Sequence, residues 1–186
     1  MKLNLGCGNK RLPGFLNIDI DPAVHTAGYS DEMGSTCLFQ YKDNSVDEIY
    51  ASHVLDHLSR KNELDNTLAE WYRVLKSGGI LRVAVSDFEA VSKLYRDGMD
   101  LESLWGSIIG GHKNDYDKHG VCFDFPVLRR YLEKHGFVDV KRYNWRDFLP
   151  KGFEDNSCAC IPKWDINGYS TSLNVVCMKS ILILSL

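Results

Sequence analysis

Leu3-Asn4-Leu5-Gly6-Cys7-Gly8, followed by Phe15-Leu16-Asn17-Ile18-Asp19-Ile20, decides how this chain is read. A short apolar run enters Gly-x-Gly, and the next apolar run carries an acid near its end. Glycines at such a turn let the backbone approach a ligand with no Cβ in the way. A carboxylate at the tip of a second strand accepts hydrogen bonds from a ribose diol. Together they predict a Rossmann-like sheet with a nucleoside-containing ligand at its carboxyl edge. Position 11 narrows the ligand. The dinucleotide fingerprint Gly-x-Gly-x-x-Gly needs a third glycine where helix packs on strand, and Arg11 stands there. A pyrophosphate-binding NAD site, and with it a nucleotide-dependent oxidoreductase, is disfavoured.

Working outward, apolar runs alternate with helical periodicity, as in a parallel α/β sheet. Strands are predicted near 2–5, 15–20, 35–40, 46–52 and 80–85, with a closing antiparallel pair at 138–143 and 172–178. Leu64, Leu68, Trp71, Tyr72 and Leu75 recur at three- and four-residue steps, which predicts a helix over 61–76. Gly78-Gly79 is placed to end it as a left-handed cap. Further helices are predicted at 88–96 and 125–135, the second stopped by Gly136. Only Asn9–Gly14 separates the first two strands, too few residues for a helical crossover. The first helix is therefore expected to shrink to a turn, and with Met1 leading into a strand no N-terminal lid helix or signal peptide is expected. An open cofactor edge would follow, with weak cofactor affinity or a lid from a partner subunit.

Four ordered segments carry a resemblance over Leu3 to about Lys179. They are Leu-Gly-Cys-Gly at 5–8, Gly-Phe-Leu-Asn-Ile-Asp at 14–19, the stretch from Asp43 to Leu58, and Glu-Trp-Tyr-Arg-Val-Leu-Lys-Ser-Gly-Gly-Ile-Leu at 70–81. In this order and spacing the chain resembles a class I S-adenosylmethionine-dependent methyltransferase, of the small type 11 branch. The resemblance implies a Rossmann-like three-layer α/β sandwich, with a mostly parallel seven-stranded sheet closed by an antiparallel strand. It also implies S-adenosylmethionine as cofactor, S-adenosylhomocysteine as product, and methyl transfer to an O or N nucleophile of a small molecule. A non-catalytic adenosyl-binding module of the same fold is the alternative.

Methyl transfer from a sulfonium needs alignment above all, and for some acceptors a base. By family position Gly6, Cys7 and Gly8 present backbone to the amino-acid end of the cofactor, and Asp19 binds the ribose. At the end of the fourth strand, the same family position puts Ser52 at the methionine end of the cofactor and His53 facing the methyl. The acid expected to meet adenine is missing; Gln40 and Asp43 are the nearest substitutes. The polar run Gly110–Gly120 holds two histidines, acids and a tyrosine after the fifth strand, where the family places its acceptor pocket. His119 is the expected general base, with His53 as the other catalytic candidate. Asp87, His112, Asp115 and Tyr116 are candidate acceptor contacts, although Asp87 also reads as a helix cap. His53 and His57 have the spacing of a zinc pair, but no adjacent Glu and no third ligand accompany them, so no metal is expected. His57 reads as a structural histidine beside Asp56. The loop 147–169 is long enough to suggest a cover over the acceptor, and Trp164 is its candidate ligand contact.

Length and composition agree with one domain over 1–186: 186 residues, 44% hydrophobic and 25% charged, can build one sizeable core. A net charge of −3 gives no basic surface for nucleic acid or anionic membrane. Six cysteines lack zinc-ribbon spacing and read as reduced thiols of a cytoplasmic protein. The apolar end, 181–186, is too short to span a bilayer. It reads as a strand extension or a partner-seeking tail, and a homodimer is a reasonable expectation.

Overall fold

The computed structural model describes residues 1–35, 37–162 and 168–181. Its strands are β1 (Lys2–Leu5), β2 (Leu16–Asp19), β3 (Glu32–Met33), β4 (Val46–Ser52), β5 (Leu75–Ser86), β6 (Phe137–Arg142), β7 (Cys160–Ile161), β8 (Tyr169–Ser170) and β9 (Ser172–Lys179). Its α-helices are α1 (Pro22–Thr26), α2 (Glu63–Val74), α3 (Phe88–Arg96), α4 (Trp105–Ile109) and α5 (Phe125–Lys134). Seven strands form one sheet in the order β3-β2-β1-β4-β5-β9-β6. Neighbours from β3 to β5 run parallel, and β9 is antiparallel to both β5 and β6. This is the doubly wound arrangement, with the order reversing at β1 and β4, where ligands bind.

One face of the sheet is apolar. Leu3, Leu5, Ile49, Ala51, Leu81, Val83, Leu173 and Val175 pack with Leu64, Leu68 and Trp71 of α2 and Leu128 and Leu132 of α5. The side-chain alternation of strands sends the intervening residues to the opposite face. There the paired positions Asn17, Asn4, Tyr50 and Arg82 form a polar row across four strands. Asn4 donates to Asn17 Oδ1 at 2.8 Å, and the Tyr50 hydroxyl donates to Asp155 at 2.7 Å. Arg82 pairs with Glu48 and lies 4.4 Å from the centre of the Phe148 ring.

That second face is covered in an unusual way. Right-handed crossovers moving in opposite directions from β1 and β4 fall on opposite faces, so a β1–β2 helix would lie here. The link 6–15 is too short to supply one, as the sequence predicts, and forms turns instead. Leu12 from that link joins Tyr50, Leu149 and Cys158 in a second core, with Phe15, Trp145, Phe148 and Phe153 packed on it. The loop expected as an acceptor cover therefore packs on the sheet through its first half, against the apolar surface of Tyr50 and Leu12. Trp164, and the apolar end beyond Ile181, lie outside the described residues.

Two other boundaries differ from the sequence reading. The third strand is Glu32–Met33 rather than 35–40; Leu38 is buried, but it anchors a turn, and Phe39 is 81% exposed. The helix before β5 ends at Val74, not at the glycines. Leu75 is fully buried and pairs with Val46, so sheet pairing outweighs another helical turn. Gly78, at φ +74°, instead absorbs the register shift between the Val46 and Glu48 pairings.

If the 145–158 segment is part of the core, Leu149→Ala should lower unfolding stability by about 2–4 kcal/mol, as buried Leu truncations do. Urea unfolding of variant and wild type measures this; a change within about 0.5 kcal/mol would mean that the segment is a surface cover.

Candidate active site

A cavity of about 760 Å³ opens at the carboxyl ends of β1, β2 and β4, within the size range of small-molecule sites. Its β1–β2 end is built by the glycine turn. Gly6 and Gly8 have φ of +63° and +52°, a region that disfavours side chains. A Cβ on Gly6 would lie 2.5 Å from Val54 Cγ2, whereas one on Gly8 would meet nothing within 4 Å. Gly6 is thus required by packing, and Gly8 leaves the backbone bare at the cavity wall.

Asp19 is 93% removed from solvent and lines the cavity. Its Oδ2 accepts the Gly8 N–H at 2.7 Å, and its Oδ1 accepts the Asp21 N–H at 2.9 Å. A carboxylate offers about four acceptor positions, so each oxygen keeps one for a ligand hydroxyl. The acid therefore locks the turn while retaining capacity for a diol. Cys7 sits between the glycines but does not line the cavity: its N–H goes to Ile18 O at 3.1 Å, and its thiol is buried. Burial, then the nearby Asp19 charge, pushes that thiol up to about 12, so it is not a nucleophile. Gly34, Ser35 and Cys37 form the adjoining wall. Gln40 and Asp43 do not line it, and Asp43 is paired with Arg73.

The other end of the cavity is lined by His53, His57, Leu58, Glu63, Asn66, Thr67 and 114–117. Asp115 and Tyr116, expected as acceptor contacts, are among them. Asp87, His112, Ser52 and His119 are not among the lining residues. Asp87 caps α3 through Glu89 N–H and takes a 3.1 Å contact from Arg142. His112 folds back onto Ile109 O at 2.8 Å. Ser52 Oγ is buried without a hydrogen-bond partner among the described residues. His119 lies behind His57, ring edge to face at 4.9 Å. Burial pushes the His119 pKa down and outweighs the opposing Asp56 charge, so the ring is neutral near pH 7.

Asp56 organises this end. Its main-chain carbonyl accepts Gly120 N–H at 2.7 Å and Val121 N–H at 3.2 Å. Its Oδ2 accepts Ser86 N–H at 2.8 Å and lies 3.4 Å from His53 Nδ1. Gly120 has no room for a Cβ, which would collide with the Leu58 carbonyl. The 110–120 loop is therefore fixed against the turn at Leu55–His57. The sequence reading missed His57 and the face of α2 carrying Glu63, Asn66 and Thr67. The second was readable: those polar positions at three- and four-residue steps flank the apolar stripe.

Comparison with known proteins bears on this geometry. Residues 3–83 match the family model "Methyltransferase domain". Comparison with curated protein sequences returned no match. Among solved structures, the chain is similar to an S-adenosylmethionine-dependent methyltransferase of Thermotoga maritima described as a possible histamine N-methyltransferase. That likeness has 18% identity and a TM-score of 0.58, over 96% of this chain and 82% of that one. A methyltransferase of Archaeoglobus fulgidus gives 15% and 0.59, over 96% and 85%. Phosphoethanolamine N-methyltransferase 2 of Haemonchus contortus, solved with S-adenosyl-L-methionine, gives 14% and 0.54, over 96% and 48%.

Asp56 yields a test. Burial alone would raise its pKa, but the facing His53 and the Ser86 N–H outweigh burial and lower it. A lowered carboxylate contributes stability above its unfolded pKa of about 4, and that contribution disappears as pH falls through the folded value. Urea midpoints between about pH 6 and 2.5 should fall more steeply for wild type than for Asp56→Asn; parallel curves would contradict this assignment. Over residues 3–83 the chain matches the methyltransferase-domain model, and over nearly its whole length it has the fold of S-adenosylmethionine-dependent methyltransferases.

Proposed function

We propose that residues 1–186 act as one cytoplasmic methyltransferase domain. It moves the methyl group of S-adenosylmethionine to an oxygen or nitrogen of a small acceptor. The observation that carries this reading is a single cavity joining two unlike ends. At one end are the bare Gly8 backbone and the half-used Asp19 carboxylate; at the other are an imidazole and the polar 114–117 loop. The residues present fit the cofactor. Gly6 and Gly8 hold its amino-acid end, Asp19 its ribose hydroxyls, and Gly34, Ser35 and Cys37 wall the base.

When bound, this cofactor supplies a methyl already activated by a positive sulfur, so the chain's own task is alignment and proton removal. Leu5, Ile18, Val54 and Leu58 line the cavity with apolar surface, which excludes water from the path of transfer. His53 is held by Asp56 and Ser172 and serves as a wall that positions the acceptor. The acceptor half carries Glu63, Asp115 and Asp117 and, among the described lining residues, no Lys or Arg. That charge favours a neutral or cationic acceptor, an alcohol or amine, over a phosphate or carboxylate. No described helix is long and apolar enough to cross a membrane.

Calorimetric titration of S-adenosylhomocysteine, with NAD as control, should show binding of the sulfur compound alone. Asp19→Ala should weaken it at least about tenfold, the loss expected for hydrogen bonds to a charged group. Failure of wild type to bind would overturn the reading. Binding without turnover on any of a panel of small amines and alcohols would favour an adenosyl-binding module.

A further inference from the structure

Three histidines surround Asp56, and they differ in which ring nitrogen is left free. His53 has both nitrogens engaged: Nδ1 faces Asp56 Oδ2 at 3.4 Å, and Nε2 lies 3.1 Å from Ser172 Oγ. A carboxylate only accepts, so Nδ1 carries a hydrogen, and Nε2 is occupied by the serine hydroxyl. His119 is set back from the cavity behind His57. His57 is different. Its Nδ1 lies 3.2 Å from the Lys118 carbonyl oxygen, and a carbonyl can only accept. Nδ1 must therefore carry the hydrogen, which leaves the lone pair on Nε2. His57 lines the cavity, and no hydrogen bond to its Nε2 is found among the described residues.

The contact that sets this tautomer is itself built in. Lys118 is two residues before Gly120, whose N–H is bound by the Asp56 carbonyl next to His57 in the chain. Gly120 is obligatory there, because a Cβ would strike the Leu58 carbonyl. The loop thus returns to the Leu55–His57 turn in one register, and that register delivers a carbonyl to Nδ1. The same element brings His119 against the face or edge of the His57 ring as a neutral neighbour, which does not oppose a positive charge arising on His57.

Resting on the methyl-transfer reading above, we propose that His57, rather than His53 or His119, takes the proton that the acceptor gives up. The acceptor heteroatom bonds to the methyl carbon, the departing sulfur keeps the electron pair of the broken bond, and the acceptor's proton goes to Nε2. Imidazolium His57 then returns the proton to solvent through the cavity mouth. Asp56 is the positioning residue for this step, acting through the loop that its carbonyl holds.

Long-range 1H–15N correlation spectra of the histidine rings, recorded well above the ordinary imidazole pKa, read the tautomers directly. His57 is assigned by the signal missing in His57→Gln. The expected result is the Nδ1–H form, with Nε2 unprotonated; an Nε2–H form overturns the proposal. Diethyl pyrocarbonate gives a second readout, since a free imidazole nitrogen attacks its carbonyl. Mass spectrometry should find His57 modified at least tenfold faster than His53, and equal or reversed rates would also overturn it. Calorimetry with S-adenosylhomocysteine on the same wild-type sample keeps the two readings apart. No binding there defeats the methyltransferase reading, whereas binding with the wrong tautomer defeats the assignment of His57 alone.

Discussion

The link 6–15 between β1 and β2 is the constraint from which much of this structure follows. It must turn the chain so that two parallel neighbours pair, and it has too few residues to do so through a helix. The turn is made by Gly6 and Gly8 at positive φ and closed by Asp19 accepting the Gly8 N–H. The glycine wall of the cavity and the fold's tightest connection are therefore the same few residues. The sheet face left without its helix is then covered from a distance, by Phe148, Leu149, Phe153 and Cys158. The face carries polar side chains that hydrogen-bond to that segment. Tyr50 reaches Asp155, and Asn174 donates to the Ser157 carbonyl at 3.0 Å.

Burial and charge at the other end of the cavity have a matching logic. An isolated buried carboxylate is costly, and Asp56 is 1% exposed. Its cost is offset by Ser86 N–H and by His53, and the same residue's carbonyl ties down the loop behind the cavity. A group that could not be left unpaired thereby fixes the placement of three imidazoles. Their different surroundings make them chemically unequal: His53 is doubly engaged, His119 is half-buried with its pKa pushed down by desolvation, and His57 lines the cavity with one nitrogen tethered.

Much of the fold was legible because local signals and sheet pairing agreed. β1, β4 and α3 fall where the apolar periodicity puts them, and the missing first helix follows from counting residues. Where local signals competed with pairing, pairing won. Leu75 left the helical stripe to pair with Val46, and Leu38 became a buried anchor beside the exposed Phe39 rather than part of a strand. That Gly6, Gly8 and Asp19 meet at one cavity was readable, since a turn and a strand tip are placed by local sequence. The other end of the cavity was not. Whether His57 or His119 borders the cavity depends on how a loop sixty residues away returns to the Leu55–His57 turn. Periodicity carries no information on that return. Asp87, which sequence already offers as a helix cap, caps α3 and is engaged by Arg142, whereas His112 looks free in sequence and folds back onto the Ile109 carbonyl.

The central claim is that the Gly6–Gly8 turn and Asp19 form the cofactor end of one cavity that reaches the 114–117 loop. Amide chemical-shift mapping during titration with S-adenosylhomocysteine tests it most directly. The account predicts the largest shifts at Gly6, Gly8, Asp19, Ile20 and Gly34, with smaller ones at His57 and 114–117. Shifts confined to the opposite face, around Phe148 and Asp155, would contradict it, as would saturating ligand that leaves the glycine turn unmoved.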